Sequence, residues 1–406
     1  MIIRARAVVT MDGEPIENGA VAIDGRQIAA VGSWPEIRAA IGGAAVDLGE
    51  RVLLPGLINA HCHLDYTVLR GAIPPPDSFA DWIQSINQQK APLGPDDYVR
   101  SIEAGFAEAA KFGTTAIANL EAFPALISEV KSPPLRTWWF AEMIDVREPI
   151  SVSEVYATLQ TALQRSGDPL ARVGLAPHAP FTASAKLYAE TAALAAGSNM
   201  PVTTHLAESK EEMEMFRDGS GRLFEFLSRI GRAMGDCCGT TPLALLLQRG
   251  VVNERWIVAH LNELASSDFE LLRRSPRFHV VHCPRSHAYF GHARFALAEL
   301  RALGFNVCVG TDSLASNQDL SLFAEMQQLW ENEPGLAPAK ILGMTTANAA
   351  AALCQGDALG RIRANYLADL IAIPFTRKTA TLSEEIVSFR GEVPWAMVDG
   401  RVSRSG

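Results

Sequence analysis

Strand-like and helical segments alternate along the middle of the chain, from residue 56 to about residue 365. The strand-like segments are short runs of apolar and β-branched residues, and helical segments such as 97–112 and 185–195 follow most of them. Eight such units in one continuous region predict an α/β fold of the (β/α)8 TIM barrel type rather than an open doubly wound sheet. The predicted barrel strands are 56–60, 114–119, 136–143, 172–176, 202–205, 256–260, 279–283 and 306–310.

The two ends of the chain have a different pattern, in which short strands alternate with turns. Asp-Gly dipeptides, which favour tight hairpin turns, stand at 12–13 and 24–25 near the N-terminus and at 399–400 near the C-terminus. Because both ends are β-rich and flank the α/β region, we predict a small β-sandwich domain formed by residues 1–55 and 366–406. The barrel domain then spans residues 56–365.

Composition and charge narrow the functional classes. The chain has 406 residues, of which 48% are hydrophobic and 20% charged, as in globular proteins with a large core. A net charge of −9 and the lack of any basic run argue against nucleic-acid binding. The sequence has the features of neither a secretory signal nor a bilayer-spanning segment, and three of its six cysteines lie in apolar strand-like runs. We therefore expect a cytoplasmic protein that has no membrane partner.

Histidine and aspartate residues lie at or just beyond the ends of several predicted strands. His61 and His63 follow the first apolar run, and residues two apart on a strand point to the same face. His205 and Asp312 belong to two further strand ends, at the edge where the catalytic groups of a barrel lie. Three neutral imidazoles and one carboxylate suit Zn²⁺, with Fe²⁺ or Mn²⁺ as alternatives. We predict that these four residues bind one divalent metal ion.

Three residues are candidates for the chemistry itself. Glu208 follows His205 by three positions and is placed to move a proton between activated water and a substrate ring nitrogen; the alternative is a solvated carboxylate at a helix start. His260 ends the sixth predicted strand and is expected to steady the attacking hydroxide, unless it is a buried structural histidine. Asp312 can orient that hydroxide while binding the metal, and its alternative is a turn-forming aspartate.

Candidate substrate-binding residues lie beyond the predicted strands. His178 ends the fourth strand and either contacts the substrate or braces a proline-rich loop. Trp82, placed on a loop after the first strand, is expected to stack on a flat ring, although core packing would also explain it. The donor-rich segment 283–292, after the seventh strand, contains four further polar candidates: Ser286 and His287, together with Arg285 and His292, whose roles the sequence leaves open.

The fourth strand is also informative through what it lacks. Residues 172–178 contain no lysine. A binuclear centre bridged by a modified lysine is therefore not expected, and we predict one metal ion rather than two.

These motifs resemble those of the amidohydrolase superfamily, and the resemblance covers essentially the whole chain. It rests on Pro55-Gly-Leu-Ile-Asn-Ala-His61-Cys-His63, His205-Leu-Ala-Glu208, His260 and Gly310-Thr-Asp312-Ser-Leu-Ala-Ser-Asn317. Within the superfamily the chain is similar to the mononuclear deaminase and chlorohydrolase group. The resemblance implies the same four metal ligands, catalytic roles for Glu208 and His260, and a substrate contact from Asn317. A homodimer is expected by analogy alone.

The group includes S-adenosylhomocysteine/methylthioadenosine deaminases, aminodeoxyfutalosine deaminases, guanine and cytosine deaminases, and triazine hydrolases. The segment 283–292 departs from the Asn-Pro-x-Ser-Asn type of loop usual in adenosylhomocysteine deaminases and leans toward the aminodeoxyfutalosine branch. We therefore expect a metal-dependent hydrolytic deaminase of an aminopurine nucleoside or related N-heterocycle, which releases ammonia. The alternatives are a chlorohydrolase or N-dealkylating hydrolase of triazine-like rings, a guanine- or cytosine-type base deaminase, and a non-catalytic binding protein.

Overall fold

The computed structural model describes residues 1–131, 135–198, 200–376 and 379–405. Within these ranges the strands form two eight-stranded sheets, one from the middle of the chain and one from both ends. In chain order the strands are β1 (Ile2–Val8), β2 (Ile16–Asp24), β3 (Gln27–Ser33), β4 (Ala45–Asp47), β5 (Arg51–Pro55), β6 (Leu57–Cys62), β7 (Thr114–Glu121), β8 (Arg136–Met143), β9 (Ala171–Pro177), β10 (Val202–Leu206), β11 (Trp256–His260), β12 (His279–His282), β13 (Asn306–Val309), β14 (Leu370–Pro374), β15 (Trp395–Val398) and β16 (Arg401–Ser405).

The middle sheet is a nearly closed parallel barrel. Its strands β6 to β13 are hydrogen-bonded neighbours in sequence order, with helices between most consecutive strands. Each predicted barrel strand coincides with one of these strands, and the boundaries differ by at most two residues. The predicted (β/α)8 barrel is confirmed. Its strands can run parallel because the helical segments between the apolar runs are long enough for parallel crossovers.

The barrel closes between its first and last strands, beside the candidate metal ligands. The backbone N–H groups of Thr311 and Asp312 both donate to the carbonyl oxygen of His61, each at 3.1 Å. Gly310 permits this close approach, because a Cβ atom there would lie 2.7 Å from the same carbonyl oxygen. The Asn59 side chain reinforces the seam by donating to Thr311 Oγ1 at 2.8 Å. Closure therefore sets the position of His61 relative to Asp312.

The second sheet is mixed and is built from both termini, as predicted. Its strand order is β16-β15-β14-β5-β1-β2-β3, with β4 paired to β1, so β5 and β14 join the two terminal regions. Asp399 and Gly400 form the two-residue turn between β15 and β16, and their φ angles of 53° and 74° have the sign that a type I′ hairpin turn requires. Gly25 likewise begins the turn between β2 and β3.

Helices of the described ranges pack around both sheets, and many begin at a capping side chain. Ser78, Ser151, Ser209 and Ser321 each accept a hydrogen bond from a backbone N–H in the first helical turn. Among the residues described, none of the helices is both long and apolar enough to cross a bilayer. The α-helices are α1 (Trp34–Ile41), α2 (Phe79–Lys90), α3 (Pro95–Lys111), α4 (Val152–Ser166), α5 (Ala185–Ser198), α6 (Lys210–Asp218), α7 (Arg222–Arg229), α8 (Pro242–Gln248), α9 (Ser266–Arg274), α10 (Pro284–Tyr289), α11 (Leu297–Ala302), α12 (Leu322–Asn332), α13 (Pro338–Met344), α14 (Ala347–Ala352) and α15 (Leu382–Val387), and 3₁₀ segments span Leu64–Leu69, Pro124–Ser128 and Thr379–Thr381.

A buried ion-pair cluster joins the barrel to the terminal sheet. Arg136, the first residue of β8, is 2% exposed, and its Nε and Nη2 atoms donate to the two carboxylate oxygens of Asp369 at 2.6 and 3.1 Å. The same guanidinium contacts Asp399, whose backbone N–H donates to Asp369 at 2.7 Å. Bidentate pairing of this kind is the strong form of an arginine–carboxylate contact. The cluster therefore fastens the N-terminal end of the barrel strands to the second sheet.

Candidate active site

The structure brings the six principal candidate residues together at the C-terminal end of the barrel strands. Parallel strands all end at the same face of a barrel, and this topology places strand-end residues around one opening. The six are His61 on β6, His63 directly after it, His205 on β10, Glu208 beyond β10, His260 at the end of β11 and Asp312 beyond β13.

Three of these imidazoles form a compact cluster. Nε2 of His63 lies 3.1 Å from Nε2 of His205, and one ring nitrogen of His61 lies within 4.8 Å of a nitrogen of each. Two nitrogens bound to one tetrahedral zinc ion at about 2.05 Å would lie about 3.3 Å apart. Both ring nitrogens of His61 are buried and lack a hydrogen-bond partner among the described residues. The cluster therefore has the donors and the spacing for one metal ion.

Burial keeps these imidazoles neutral. It lowers the pKa of His61 and His63 well below the usual value for histidine, and neighbouring imidazoles lower both pKa values further. Burial also lowers the pKa of His205, and its Nδ1 lies 2.9 Å from the carbonyl oxygen of His178. A hydrogen bond donated from Nδ1 directs Nε2 toward the cluster, as metal-binding histidines require. Neutral rings have the lone pairs that a metal ion needs.

Asp312 completes the cluster on the side of the barrel seam. Its Oδ1 lies 3.8 Å from Nε2 of His61 and 4.0 Å from Nε2 of His63. Ser286 Oγ donates to Oδ2 at 2.7 Å, and the backbone N–H of Ser313 donates to Oδ1 at 2.8 Å. The φ angle of Asp312 is +57°, which side-chain-bearing residues adopt mainly where the surrounding structure enforces it. The carboxylate is thus held in one orientation beside two imidazoles.

Glu208 and His260 form an acid–base pair next to the metal cluster. Oε1 of Glu208 lies 3.7 Å from Nε2 of His260, and both groups are close to Asp312. Burial raises the pKa of Glu208 well above its usual value, and the charges of Asp312 and Glu212 raise it further. His260 has a φ angle of +71°, and its buried Nε2 has no hydrogen-bond partner within the described part of the chain. The pair combines a carboxyl group whose pKa is raised with an imidazole nitrogen that has no partner among the described residues.

The backbone around Glu208 is fixed from two sides. Its N–H donates to Glu212 Oε2 at 2.7 Å, and its carbonyl oxygen accepts a hydrogen bond from Asn262 Nδ2 at 3.0 Å. The residue is buried, and helix α6 begins only at Lys210. The alternative of a solvated carboxylate at a helix start therefore does not describe Glu208.

A cavity of about 680 Å³ opens onto these groups. This volume lies within the range of about 300–1,000 Å³ that small-molecule sites usually have. Its inner end presents the candidate metal and acid–base residues, and its outer walls are largely apolar. The apolar wall residues include Phe79, Ile83, Ile86, Ile144, Val146, Ile150, Phe181, Phe226, Leu227 and Ile230.

Two of the predicted substrate-binding residues line this cavity. His178 is one of them, and its Nδ1 lies 2.6 Å from Thr182 Oγ1. Trp82 is the other, although it lies on helix α2 rather than on a loop. The helix begins after the capping residue Ser78, a local signal that the sequence analysis overlooked. The indole of Trp82 packs beside the ring of Phe79, with centroids 6.0 Å apart.

The described residues that line the cavity do not include the other three, Ser286, His287 and Asn317. Ser286 donates to Asp312, as described above. The His287 ring contacts Asn262 Oδ1 at 3.1 Å and the Ala293 carbonyl oxygen at 2.7 Å. Asn317 donates to the Thr311 carbonyl oxygen and to Glu325 Oε1. Only Cys283 separates the end of β12 at His282 from the start of helix α10 at Pro284, and Ser286 and His287 lie on this helix, where they contact neighbouring protein groups.

The structure also locates the two residues whose roles were left open. Arg285 pairs with Asp319, with an Nη1–Oδ1 distance of 2.6 Å. The ring of His292 packs against His287 and Phe290 at centroid distances of 5.2 and 5.4 Å. Both therefore contact neighbouring protein groups, and neither is among the described residues that line the cavity.

Glu142 is a functional candidate that the sequence analysis missed. It is the second-last residue of β8, its side chain lines the cavity, and its Oε1 lies 3.9 Å from Nδ1 of His63. Burial and the nearby Asp65 carboxyl raise the pKa of Glu142 to about 8, and the charge of Lys90 opposes that rise. A lone carboxyl residue at the C-terminal end of an apolar barrel strand was the available signal.

The family follows from comparison with known proteins. A family model described as "Amidohydrolase family" matches residues 52–402. This chain belongs to the amidohydrolase family. The amidohydrolase is 31% identical over 379 residues to a 5-methylthioadenosine/S-adenosylhomocysteine deaminase of Syntrophobacter fumaroxidans, with 90% of this chain and 82% of the relative covered.

Two further proteins are similar over most of their length. An aminodeoxyfutalosine deaminase of Deinococcus radiodurans is 29% identical to the amidohydrolase over 334 residues, which cover 79% of this chain and 78% of that protein. The crystal structure of an adenosine deaminase from Xanthomonas campestris with bound zinc superimposes with a TM-score of 0.85 at 26% identity and covers 100% of this chain and 92% of that one. The resemblance inferred from the motifs is thus confirmed.

Proposed function

We propose that this amidohydrolase is a metal-dependent hydrolytic deaminase of an aminopurine nucleoside or related N-heterocycle. The observation that carries the proposal is the buried Glu208 carboxyl group, whose pKa is raised, beside the His61, His63 and His205 cluster at one cavity. Hydrolysis of a ring C–NH2 group needs an activated water molecule and a proton donor for the ring, and these groups suit both tasks. The names of the similar proteins, deaminases of adenosine-type nucleosides, support the substrate class.

We propose that one divalent metal ion is held by His61, His63, His205 and Asp312. The donor set of three imidazoles and one carboxylate favours zinc, and iron or manganese would also suit it. The zinc in the similar Xanthomonas structure supports the same choice. When bound, the ion supplies Lewis-acid activation of water near neutral pH. The two unpaired nitrogens of His61 are the strongest support for its presence.

The reaction consumes one water and releases one ammonia, as the ring C–NH2 group becomes C=O with a proton on the adjacent ring nitrogen. We propose that Glu208 takes a proton from the water molecule and gives it to that ring nitrogen as the remaining hydroxide adds to the carbon. Glu208 then takes the proton released by the added hydroxyl and transfers it to the departing amine. His260 Nε2, 3.7 Å from Glu208, is placed to hold the nucleophilic oxygen by a hydrogen bond.

The remaining predicted residues receive supporting roles in this proposal. His178 and Trp82 contact the substrate from the cavity wall. Ser286 keeps the Asp312 carboxylate in position through its hydrogen bond, Asn317 braces the neighbouring Thr311, and His287 braces Asn262, which bonds the Glu208 carbonyl oxygen. The domain limits 1–55 and 366–406 against 56–365, cytoplasmic residence and a homodimer remain predictions.

An ammonia-release screen with metal-replete enzyme tests this function. The panel contains adenosine, methylthioadenosine, adenosylhomocysteine, aminodeoxyfutalosine, guanine, cytosine and a chlorotriazine. We expect ammonia from at least one aminopurine nucleoside in a 1:1 ratio with the deaminated product. Chloride release without ammonia, or turnover of free bases alone, would favour the alternative activities. A metal-free protein without turnover of any compound would favour a binding protein.

A further inference from the structure

The carboxyl group of Glu142 is buried beside the cavity without a partner that explains it. Its side chain is 4% exposed, and Oε1 makes no hydrogen bond within the described ranges. The nearest candidate, Nδ1 of His63, is 3.9 Å from Oε1, beyond the 3.2 Å limit of an ordinary N–H···O bond. Buried polar atoms are nearly always hydrogen-bonded, so an unpaired one on a cavity wall points to a ligand.

Glu142 lies on the wall next to the reacting centre rather than at the cavity mouth. One of its carboxyl oxygens lies within 4.8 Å of a ring nitrogen of His178 and one of His205. His205 belongs to the candidate metal cluster, and His178 is the neighbouring wall residue. A substrate whose ring carbon faces the cluster would therefore present its adjoining portion to Glu142.

Lys90 gives the same wall a hydrogen-bond donor. It lines the cavity at the end of helix α2, and its Nζ donates to the Tyr66 hydroxyl at 2.7 Å. The ammonium group has three donor hydrogens and no acceptor, so further donors remain for a ligand. Its charge acts on Glu142, because it lowers the pKa of that carboxyl group against the effect of burial. An acceptor and a donor thus stand on one polar stretch of a largely apolar cavity.

Hydroxyl groups match this combination. A hydroxyl both donates and accepts, whereas a thioether or an unprotonated ring nitrogen cannot donate to a carboxyl oxygen. Two adjacent hydroxyls on a sugar ring can therefore satisfy Glu142 and Lys90 at the same time. In either protonation state Glu142 retains an acceptor oxygen, so this match does not depend on its charge.

We propose that Glu142 is a specificity-determining residue that accepts a hydrogen bond from the vicinal hydroxyls of a substrate pentose, with Lys90 as the accompanying donor. The inference rests on the proposed deaminase function and deepens it. The preferred substrates are then ribonucleosides rather than free bases or deoxynucleosides. Sites built to bind a substrate hydroxyl discriminate strongly against the analogue that lacks it, because a buried polar group is left unpaired.

The test compares kcat/KM for adenosine, 2′-deoxyadenosine and 3′-deoxyadenosine, which share the reacting ring and the 5′ group. We expect the wild-type enzyme to favour adenosine by about 100-fold or more over at least one deoxy analogue. Glu142→Ala should reduce this preference to less than about 5-fold, mainly through slower adenosine turnover. Glu142→Gln, which keeps an acceptor oxygen, should retain an intermediate preference. Glu148→Ala removes a carboxyl group at the cavity mouth and should leave the preference unchanged.

Three outcomes would overturn the inference. Equal turnover of adenosine and both deoxy analogues by the wild-type enzyme would do so while leaving the deaminase function intact. Loss of bound metal in Glu142→Ala would instead make Glu142 a positioning residue for His63. Failure of the metal-replete wild type to release ammonia from any aminopurine nucleoside, ribo or deoxy, would overturn the proposed function, and this inference with it.

Discussion

The two ends of the barrel differ in how fully their buried charged groups are paired. At the N-terminal end of β8, the Arg136 guanidinium meets two carboxylates; its Nε and Nη2 atoms donate to Asp369, and only its Nη1 atom lacks a partner among the described residues. At the C-terminal end, His61, Glu142 and His260 carry buried atoms without partners among the described residues. Removing one partner of a buried ion pair destabilises a fold, and unpaired buried groups weaken it unless a ligand completes them. The N-terminal end of the barrel strands therefore has a structural ion-pair cluster, and the C-terminal end has the candidate active site.

The largest expected effect lies at the catalytic end. Glu208→Gln removes the transferable proton while keeping the shape of the side chain, so kcat should fall by about 10²–10⁴-fold. Metal content, measured by elemental analysis, should stay at the wild-type level. His61→Ala is the matched contrast, because it removes a proposed ligand and should lower metal content and rate together. Near-normal turnover of Glu208→Gln would take Glu208 out of the mechanism.

At the N-terminal end of the barrel strands, we expect a substitution to lower stability while turnover changes little. Arg136→Met leaves the buried Asp369 carboxylate without its guanidinium and should lower the free energy of unfolding by about 3–5 kcal/mol. The turnover of the folded, metal-loaded enzyme should change little, because Arg136 lies at the other end of the strands. Urea unfolding and kcat per bound metal measure the two quantities. Adding Asp369→Asn should recover part of the stability, and a loss of activity without a loss of stability would contradict the division between the ends.

A smaller effect is expected for Ser286, which supports the proposed metal ligand Asp312 through a hydrogen bond. Ser286→Ala removes the 2.7 Å hydrogen bond to Asp312 Oδ2 and should lower metal affinity or turnover by about 10–100-fold. Metal titration of the apoprotein, followed by kcat at saturating metal, distinguishes the two effects. If Ser286 instead contacted the substrate directly, KM would rise while metal affinity stayed constant.

The remaining effect, which is small for each unit of pH, concerns the pH dependence of stability. Burial raises the pKa of Glu325 to about 8, although hydrogen bonds from Arg285 N–H and Asn317 oppose the rise. Between pH 4.5 and about pH 8 the folded state keeps a proton that the unfolded state releases. Stability from this group is therefore present at low pH and is lost as the pH rises, with a slope of at most about 1.4 kcal/mol per pH unit.

Glu325→Gln should flatten that slope relative to the wild type. Denaturant unfolding at pH 5, 6, 7 and 8 measures the difference between the two proteins, and other buried carboxyls cancel in the comparison. A wild-type slope that the substitution leaves unchanged would show that Glu325 has no raised pKa in the folded protein.

The local sequence pattern predicted the barrel strands, but it did not predict where several polar side chains lie. The eight barrel strands were predictable because each is a short apolar run between helical segments, and parallel topology then gathers His61, His205 and Asp312 at one edge. Ser286, His287 and Asn317 were expected at the cavity because they lie in a polar segment or motif near strand ends. Their hydrogen-bond partners instead depend on the packing of α10 and of the loop after β13, which local pattern does not encode.

The sequence by itself determined the architecture, the family and the identity of the groups able to bind metal. It did so because strand period and strand order are local properties that decide which side chains share a face. Only the tertiary structure decided which polar groups are satisfied by the protein and which are left for a ligand. Glu142 and His63 lie 3.9 Å apart although 79 positions separate them, and Arg136 meets Asp369 across 233 positions. Partners so distant in the chain are chosen by the packing of the whole fold, and the contrast between the two barrel ends arises there.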